Sequence, residues 1–309
     1  MPFTTRGTRL FRTAITAAAL GMALGCSGSP SAPSNPGGGN TPGTGTPSGQ
    51  TVVMLGVGDI GMCDRPAVAQ TARLVAGLEG QLLLAGDLAY PQGTAANFRD
   101  CFNPEWGRFR ARWHAVPGNH EYDSPGAAPY FEYFGAAAGV DRTGYHAVMA
   151  GDWLILMLNS NVLAGRGSAQ WEFARQQLQA QRTPCTMAVW HHPLFSSGPN
   201  GPNAFMRDMW SLLETSRVEV VLNGHDHVYE RFGRQLADGT PDPVNGIRQI
   251  TAGTGGADLY SFVRVAANSE ARLRQHGVVR FILRPALVEW AFLGLDGSVG
   301  DSGLDTCRS

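Results

Sequence analysis

From Thr51 onward, short apolar runs alternate with amphipathic stretches. Thr51 to Val57, Leu82 to Ala85, Ala115 to Pro117, Met187 to Trp190 and Val218 to Leu222 are too short for helices, and each is bounded by glycine or polar residues, which predicts buried strands. Between them, Asp64 is placed to cap a helix carrying Pro66 in its first turn and running to Leu78, and Ser168 to cap another running to Arg182. Tyr145 to Val148 and Trp153 to Leu158 flank Ala150-Gly151-Asp152 and predict a hairpin. Gly246 to Ala252, Gly277 to Leu283 and Leu287 to Leu293 read as closing strands. No internal repeat is visible. Strands alternating with helices in this way belong to the α/β class.

Each of the five buried runs stops at a polar motif bordered by glycine or histidine: Gly58-Asp59-Ile60-Gly61, Gly86-Asp87-Leu88-Ala89-Tyr90, Gly118-Asn119-His120-Glu121, Trp190-His191-His192-Pro193 and Gly224-His225-Asp226-His227. Alone, each has an ordinary explanation. A Gly-Asp after a strand makes a turn or a helix cap, a tyrosine is commonly half-buried with a wet hydroxyl, and histidines spaced two apart can simply share one strand face. Their conjunction points to metal chemistry, because hard oxygen and imidazole donors mixed with a carboxylate able to bridge are what two closely held ions require. Motifs beyond the carboxyl ends of strands also lie where open α/β sheets bind ligands.

Composition narrows the field. All 24 basic residues are arginine, so a P-loop lysine and a Schiff-base lysine are excluded. The formal net charge of -1 leaves no basic footprint for nucleic acid. Gly253-Thr254-Gly255-Gly256 lacks the lysine and helix-opening context of a phosphate loop; a close backbone approach to the site is the expectation there.

At the start of the chain, Arg6, Arg9 and Arg12 precede an apolar stretch from Thr13 to Gly25 and a small-residue cleavage context, Ala23-Leu24-Gly25. This predicts an export signal over residues 1–25, too short for a lasting membrane span. Residues 26–50, rich in Gly, Ser, Pro and Thr, read as a flexible tether. Cys26 at the cleavage point resembles the lipidated cysteine of a bacterial lipoprotein. Ala23 departs from the usual leucine, so the protein is expected either as an outer-membrane or cell-surface lipoprotein anchored at Cys26 or as a secreted or periplasmic protein. The remaining cysteines, Cys63, Cys101, Cys185 and Cys307, are even in number and suggest two disulfides in an oxidising compartment. Cys63–Cys101 with Cys185–Cys307 is the preferred pairing, since Cys63 and Cys101 each follow one of the motifs. Residues 51–309 suffice for one catalytic domain with a large core.

These motifs together resemble the calcineurin-like metallophosphoesterases, and Tyr90, three residues after Asp87, resembles the ferric-binding tyrosine of the purple acid phosphatases. The resemblance spans Val53 to the C-terminal strands. It implies a four-layer α/β/β/α sandwich of two mixed sheets with the site along one edge. It also implies a binuclear centre: Fe(III) held by Asp59, Asp87, Tyr90 and His227, and a divalent ion (iron, zinc or manganese) held by the shared Asp87 with Asn119, His191 and His225. A hydroxide at the ions would then attack phosphorus in line. His120 would contact the phosphate or protonate the leaving oxygen, and His192 would orient its neighbours without binding an ion. Asn200 stands where the family often has a further histidine, which leaves the leaving-group acid open.

The activity implied is hydrolysis of phosphate monoesters of small molecules. A phosphodiesterase or nucleotidase is the alternative, and a non-enzymatic surface protein the remote one. Among other polar residues, His114, His146 and His276 read as structural or solvated, Glu230-Arg231 as a local ion pair, and Asp100, Glu105 and Glu121 as carboxylates near the mouth but outside the site.

Overall fold

The computed structural model describes residues 49–181 and 185–308; the expected signal, Cys26 and nearly all of the tether lie outside the described residues. Thirteen strands are found among them: β1 (Val52–Val57), β2 (Gln81–Ala85), β3 (Trp113–Val116), β4 (His146–Ala150), β5 (Trp153–Met157), β6 (Cys185–Val189), β7 (Val220–Asn223), β8 (Tyr229–Phe232), β9 (Arg248–Ala252), β10 (Ser269–Leu273), β11 (Gly277–Arg284), β12 (Leu287–Gly294) and β13 (Val299–Thr306). They form two mixed sheets. The first has the order β13-β12-β11-β1-β2-β3 and the second β10-β8-β9-β7-β6-β5-β4. Strands β1, β2 and β3 run parallel, as do β5, β6, β7 and β9, and the remaining pairings are antiparallel.

The period of two along each strand divides its side chains between two layers. Met54, Leu83 and Val116 face inward and meet Ile155, Met187, Val189, Leu222 and Ile250 from the second sheet in a core that also takes Phe281 and Phe292. Leu55, Val57, Leu82 and Leu84 face outward against Val68, Ala72 and Val75 of helix α1 (Pro66–Ala76) and an aromatic cluster that includes Phe98, Trp106, Tyr130 of helix α2 (Ala128–Phe134) and Phe134. On the far side Leu154, Leu156, Ala188 and Val221 pack against Ala174 of helix α3 (Ala169–Ala180) and Met209, Trp210 and Leu213 of helix α4 (Arg207–Thr215). The result is the four-layer α/β/β/α sandwich expected from the sequence.

Both predicted disulfides form, with Cα separations of 4.5 Å for Cys63–Cys101 and 5.3 Å for Cys185–Cys307. Ser168 caps α3 by accepting from the Trp171 N–H. The expected Asp64 cap does not form: Arg65 occupies the N-cap position, with no side-chain cap bond, because Pro66 itself opens the helix and Asp64 is turned into the left-handed region at φ 61°. β8, β10 and β13 have no counterpart in the sequence reading. β13 is a polar edge strand that exists because β12 offers it a ladder.

Since β1, β2 and β3 are parallel and β6, β7 and β9 are parallel, their carboxyl ends collect along one edge of the sandwich. There Gly58 N donates to Ala252 O at 2.9 Å, joining the end of β1 to the end of β9 across the two sheets.

Candidate metal centre

The five motifs become one site because the loops after β1, β2, β3, β6 and β7 interlock. Asp59 N donates to Gly86 O (3.0 Å) and Gly224 N to His191 O (3.0 Å). Three of the candidate ligands sit on backbone in the left-handed region, Asp59 at φ 60°, Asp87 at φ 51° and His225 at φ 74°. Such conformations cost non-glycine residues energy and persist where the surroundings over-determine them. Glycine supplies the clearance. A Cβ at Gly224 would sit 2.5 Å from Asp59 Oδ2, and one at Gly118 would collide with Asp87 Oδ1.

The donors fall into two groups. Around the Tyr90 hydroxyl lie Asp59 Oδ1 at 3.0 Å, His227 Nε2 at 3.0 Å and Asp87 Oδ2 at 3.3 Å. Around His191 Nε2 lie Asn119 Oδ1 at 3.1 Å, Asp87 Oδ2 at 3.1 Å and His225 Nδ1 at 3.2 Å. Asp87 Oδ2 belongs to both groups. Its other oxygen, Oδ1, accepts the His120 N–H at 2.9 Å, and Asp59 Oδ2 accepts the His225 N–H at 2.8 Å. All seven residues proposed as ligands therefore converge.

The tautomers make the case for cations. His191 Nδ1 donates to Ala85 O and His227 Nδ1 to Asp258 O, each at 2.8 Å, so when neutral both imidazoles turn their Nε2 lone pairs inward. Those lone pairs face the oxygens of Asp87, Asn119 and Asp59 and the nitrogen of His225. Acceptor set against acceptor is repulsive unless positive charge lies between: a proton on Nε2 meets that need in the metal-free site and a bound ion would displace it, spacings near 3 Å being about what neighbouring donors take around an ion bound at roughly 2.0–2.2 Å. The electrostatics agree. Burial lowers the His191 pKa, but Asp87 and Asp59 outweigh it and raise it to about 9. Burial opposes ionisation of Asp87, yet His191 and His120 hold its carboxyl well below the usual range. The Tyr90 phenol is pushed far up by burial and by Asp59 and Asp87; only a strongly charged cation at that oxygen reverses this. The residues present thus fit a pair of ions.

His120 lies beside this centre, its ring 4.5 Å from that of Tyr90. Its Nδ1 donates to Pro91 O at 2.5 Å, leaving Nε2 3.8 Å from Asp87 Oδ2. His192 stands on the opposite flank, its ring 4.4 Å from that of His225, with Nδ1 2.8 Å from Ser160 Oγ. Asn200 serves as a fastener: its N–H donates to Asp226 Oδ1 (3.0 Å) and its Nδ2 to His225 O (2.9 Å). The expected backbone approach of Gly253 is present, since a Cβ there would lie 2.8 Å from Asp59 Oδ2.

Two expectations are corrected. Glu121 is not at the mouth but fully buried, where Oε2 accepts from Asp87 N (2.9 Å) and Gly118 N (2.7 Å) and Oε1 from Leu88 N (2.8 Å) and Ala89 N (3.2 Å). Burial and the charge of Asp87 push its carboxyl up, but four N–H groups need acceptors, so the carboxylate is the form around which the Asp87 loop is built. Its position three residues after Gly118, at the third residue of the helical turn Asn119–Tyr122, was the available signal. Glu230 and Arg231 do not pair with each other. Neighbours on β8 point to opposite faces, so Glu230 holds Ser197 N (2.9 Å) while Arg231 pairs with Asp301 (2.7 Å) and Glu270. Asp100 pairs with Arg99 at the surface, and Asp100 and Glu105 line a cleft beside Cys63–Cys101.

Three partners were not anticipated. Asp226, buried between the two histidines, holds Ser196 Oγ and so fixes the loop that carries Asn200. Tyr260 stacks on His227 with ring centroids 4.0 Å apart and an interplanar angle of 10°, and its N–H donates to His227 O at 3.0 Å. Ser160, at the start of the loop after β5, holds His192.

Comparison with known proteins gives a consistent picture. The model of the calcineurin-like phosphoesterase family matches residues 54–229, more than half of the chain. Purple acid phosphatase 22 of Arabidopsis thaliana is 29% identical over 234 residues, covering 65% of this chain and 49% of that protein. Purple acid phosphatase 15 of the same plant is 26% identical over 215 residues, 58% of this chain and 40% of that protein. The chain thus spans less than half the length of these relatives. A purple acid phosphatase from yellow lupin (Lupinus luteus) seeds shares the fold with a TM-score of 0.71 at 20% identity, covering 83% of this chain and 54% of that one.

Proposed function

Since the chain belongs to the calcineurin-like phosphoesterase family, we propose that it is a binuclear metal-dependent phosphohydrolase acting on phosphate monoesters of small molecules, in the manner of an acid phosphatase. The observation that carries this reading is the shared position of Asp87 Oδ2, 3.3 Å from the Tyr90 hydroxyl and 3.1 Å from His191 Nε2. Asp59, Asp87, Tyr90 and His227 would hold Fe(III); Asp87, Asn119, His191 and His225 would hold divalent iron, zinc or manganese. When bound, such a pair supplies an activated water and neutralises charge on the phosphoryl oxygens during in-line displacement.

The chain's own residues do the rest. Glu121 holds the Asp87 main-chain N–H and the His120 N–H holds Asp87 Oδ1, which leaves Oδ2 to serve both halves of the site. The carbonyls of Ala85 and Asp258 keep His191 and His227 in the tautomer that turns Nε2 inward. His120, fixed through Pro91 O, presents Nε2 beside the bridging carboxylate, where it would meet the phosphate or the leaving oxygen. Export fits the two disulfides, and among the described residues no helix is long and apolar enough to cross a membrane. Residues 1–50 would then be the export signal and tether, with Cys26 available for a lipid anchor.

The test is a comparison of 4-nitrophenyl phosphate with bis(4-nitrophenyl) phosphate on metal-analysed protein. The monoester reading predicts kcat/KM at least about 10-fold higher for the monoester, and loss of both metal and activity in Asp87→Ala. A preference for the diester would replace it with the phosphodiesterase or nucleotidase reading. Protein that hydrolyses neither ester at any metal loading would leave the non-enzymatic reading.

A further inference from the structure

His192 has no place in either donor group, yet it is one of the most tightly positioned side chains at the site. Its main-chain carbonyl accepts from Trp190 Nε1 at 2.8 Å, and its N–H donates to Ser160 Oγ at 3.1 Å. Ser160 is itself buried in a loop held by Asn159 N to Gln170 Oε1 (2.6 Å) and Asn161 Nδ2 to Pro117 O (3.1 Å). A serine hydroxyl has one proton, and Ser160 Oγ already accepts the His192 N–H. The partner for that proton is His192 Nδ1, 2.8 Å away. Among the described residues no other acceptor is in reach of that proton, so the arrangement that satisfies the buried hydroxyl makes Nδ1 the acceptor and puts the ring proton of the neutral imidazole on Nε2. Nε2 has no protein partner among the described residues and is open to solvent.

A ring nitrogen of His192 lies within 4.8 Å of nitrogens on His191 and His225, a spacing that would permit a three-histidine metal site. The tautomer argues against it, because Nδ1 is taken by Ser160 and Nε2 carries a proton. His120 is anchored differently, through Nδ1 donating to Pro91 O.

The geometry points to His192 as a substrate-contacting residue whose Nε2–H donates a hydrogen bond to a phosphoryl oxygen of the ester, with Ser160 as the residue that fixes its tautomer. This rests on the phosphohydrolase reading above. It assigns a specific oxygen-binding donor on the His225 side of the site, selecting substrates that leave a phosphoryl oxygen free to accept.

Inorganic phosphate, titrated calorimetrically into metal-loaded protein with metal content measured on the same samples, tests it without turnover. His192→Asn keeps an acceptor for Ser160 but removes the tip donor, whereas His192→Gln returns an N–H near the Nε2 position. The inference predicts that His192→Asn weakens phosphate binding about 10- to 100-fold, the range for hydrogen bonds to charged groups. Metal content should be unchanged, and His192→Gln should recover most of the loss. Ser160→Ala should weaken phosphate about 3- to 10-fold for the same reason, with Ser160→Thr restoring it. Unchanged phosphate affinity in His192→Asn, in protein that is otherwise active, would overturn the inference alone. Loss of one metal equivalent in His192→Asn would overturn it in favour of a metal-holding role. Wild-type protein that takes up metal but neither binds phosphate nor hydrolyses an ester would overturn the phosphohydrolase reading and this inference with it.

Discussion

Replacing Glu121 with glutamine is the sharpest test of how the bridging carboxylate is held. The wild-type carboxylate offers two acceptor oxygens to four N–H groups, Asp87 and Gly118 on one and Leu88 and Ala89 on the other. Glutamine is nearly the same size but has one oxygen. Whichever way its amide is turned, two buried N–H groups lose their acceptor and face an NH₂ group instead. A buried donor left without a partner costs about 1–3 kcal/mol, so the pair should cost about 2–6 kcal/mol. Against a typical total stability of about 5–15 kcal/mol, that is a large loss. The assay is urea unfolding of wild type and Glu121→Gln at one pH, with metal analysis of both. The expected result is a midpoint lowered by about 1–2 M urea and a loss of bound metal, because the Asp87 N–H that positions the bridging residue is among those released. A midpoint within about 0.2 M of wild type, with full metal content, would refute the argument that four main-chain donors depend on this carboxylate.

Three further outcomes are expected. His146 is half-buried with neither ring nitrogen partnered among the described residues, and burial, with His114 adding to it, lowers its pKa from 6.5 to about 4. Its neutral form is the one the fold accepts, so stability is full above pH 6.5 and falls as the pH drops toward 4, by up to about 3 kcal/mol; urea midpoints of His146→Gln should lack this part of the acid slope. The Cys185–Cys307 bridge closes a span of 122 residues, and the double serine variant should lose about 3–5 kcal/mol in chemical denaturation, with an unaltered midpoint refuting the estimate. Since Asp87 raises the His191 pKa to about 9, the metal-free site carries a proton there at neutral pH. Filling the second position should release about one proton per ion at pH 7, measured in weak buffer, and the same titration of His191→Ala should release none from this group.

The part of the fold that was legible in the sequence is the part whose chemistry is local. β1, β2, β6 and β7 are apolar runs cut off by glycine or polar motifs, and the ligand candidates follow directly from where the runs stop. β13, with exposed and half-buried positions alternating along Val299–Thr306, carries no such signal; its existence depends on the ladder that β12 presents. β8 was hidden because Tyr229–Phe232 contains Glu230 and Arg231, which look like a surface pair and are in fact two separate anchors on opposite faces of a strand. The partners that hold the donors were illegible for the same reason. Glu121, Asp226, Ser160 and Tyr260 act through contacts 30 to 34 residues away in the chain, and nothing in spacing along a single segment announces them. Glu121 stood inside a motif and was still set aside, since a glutamate after Asn-His reads as solvent-facing unless its four main-chain donors are seen.

The central claim is that Tyr90, with Asp59, Asp87 and His227, holds a ferric ion beside a second, divalent one. The most direct test is the visible absorption spectrum of the purified protein together with metal analysis of the same sample. The account predicts a broad tyrosinate-to-iron band with about two metal equivalents per chain, and loss of the band in Tyr90→Phe while the protein stays folded. A colourless protein carrying two equivalents of other divalent ions, or a band that survives in Tyr90→Phe, would contradict it.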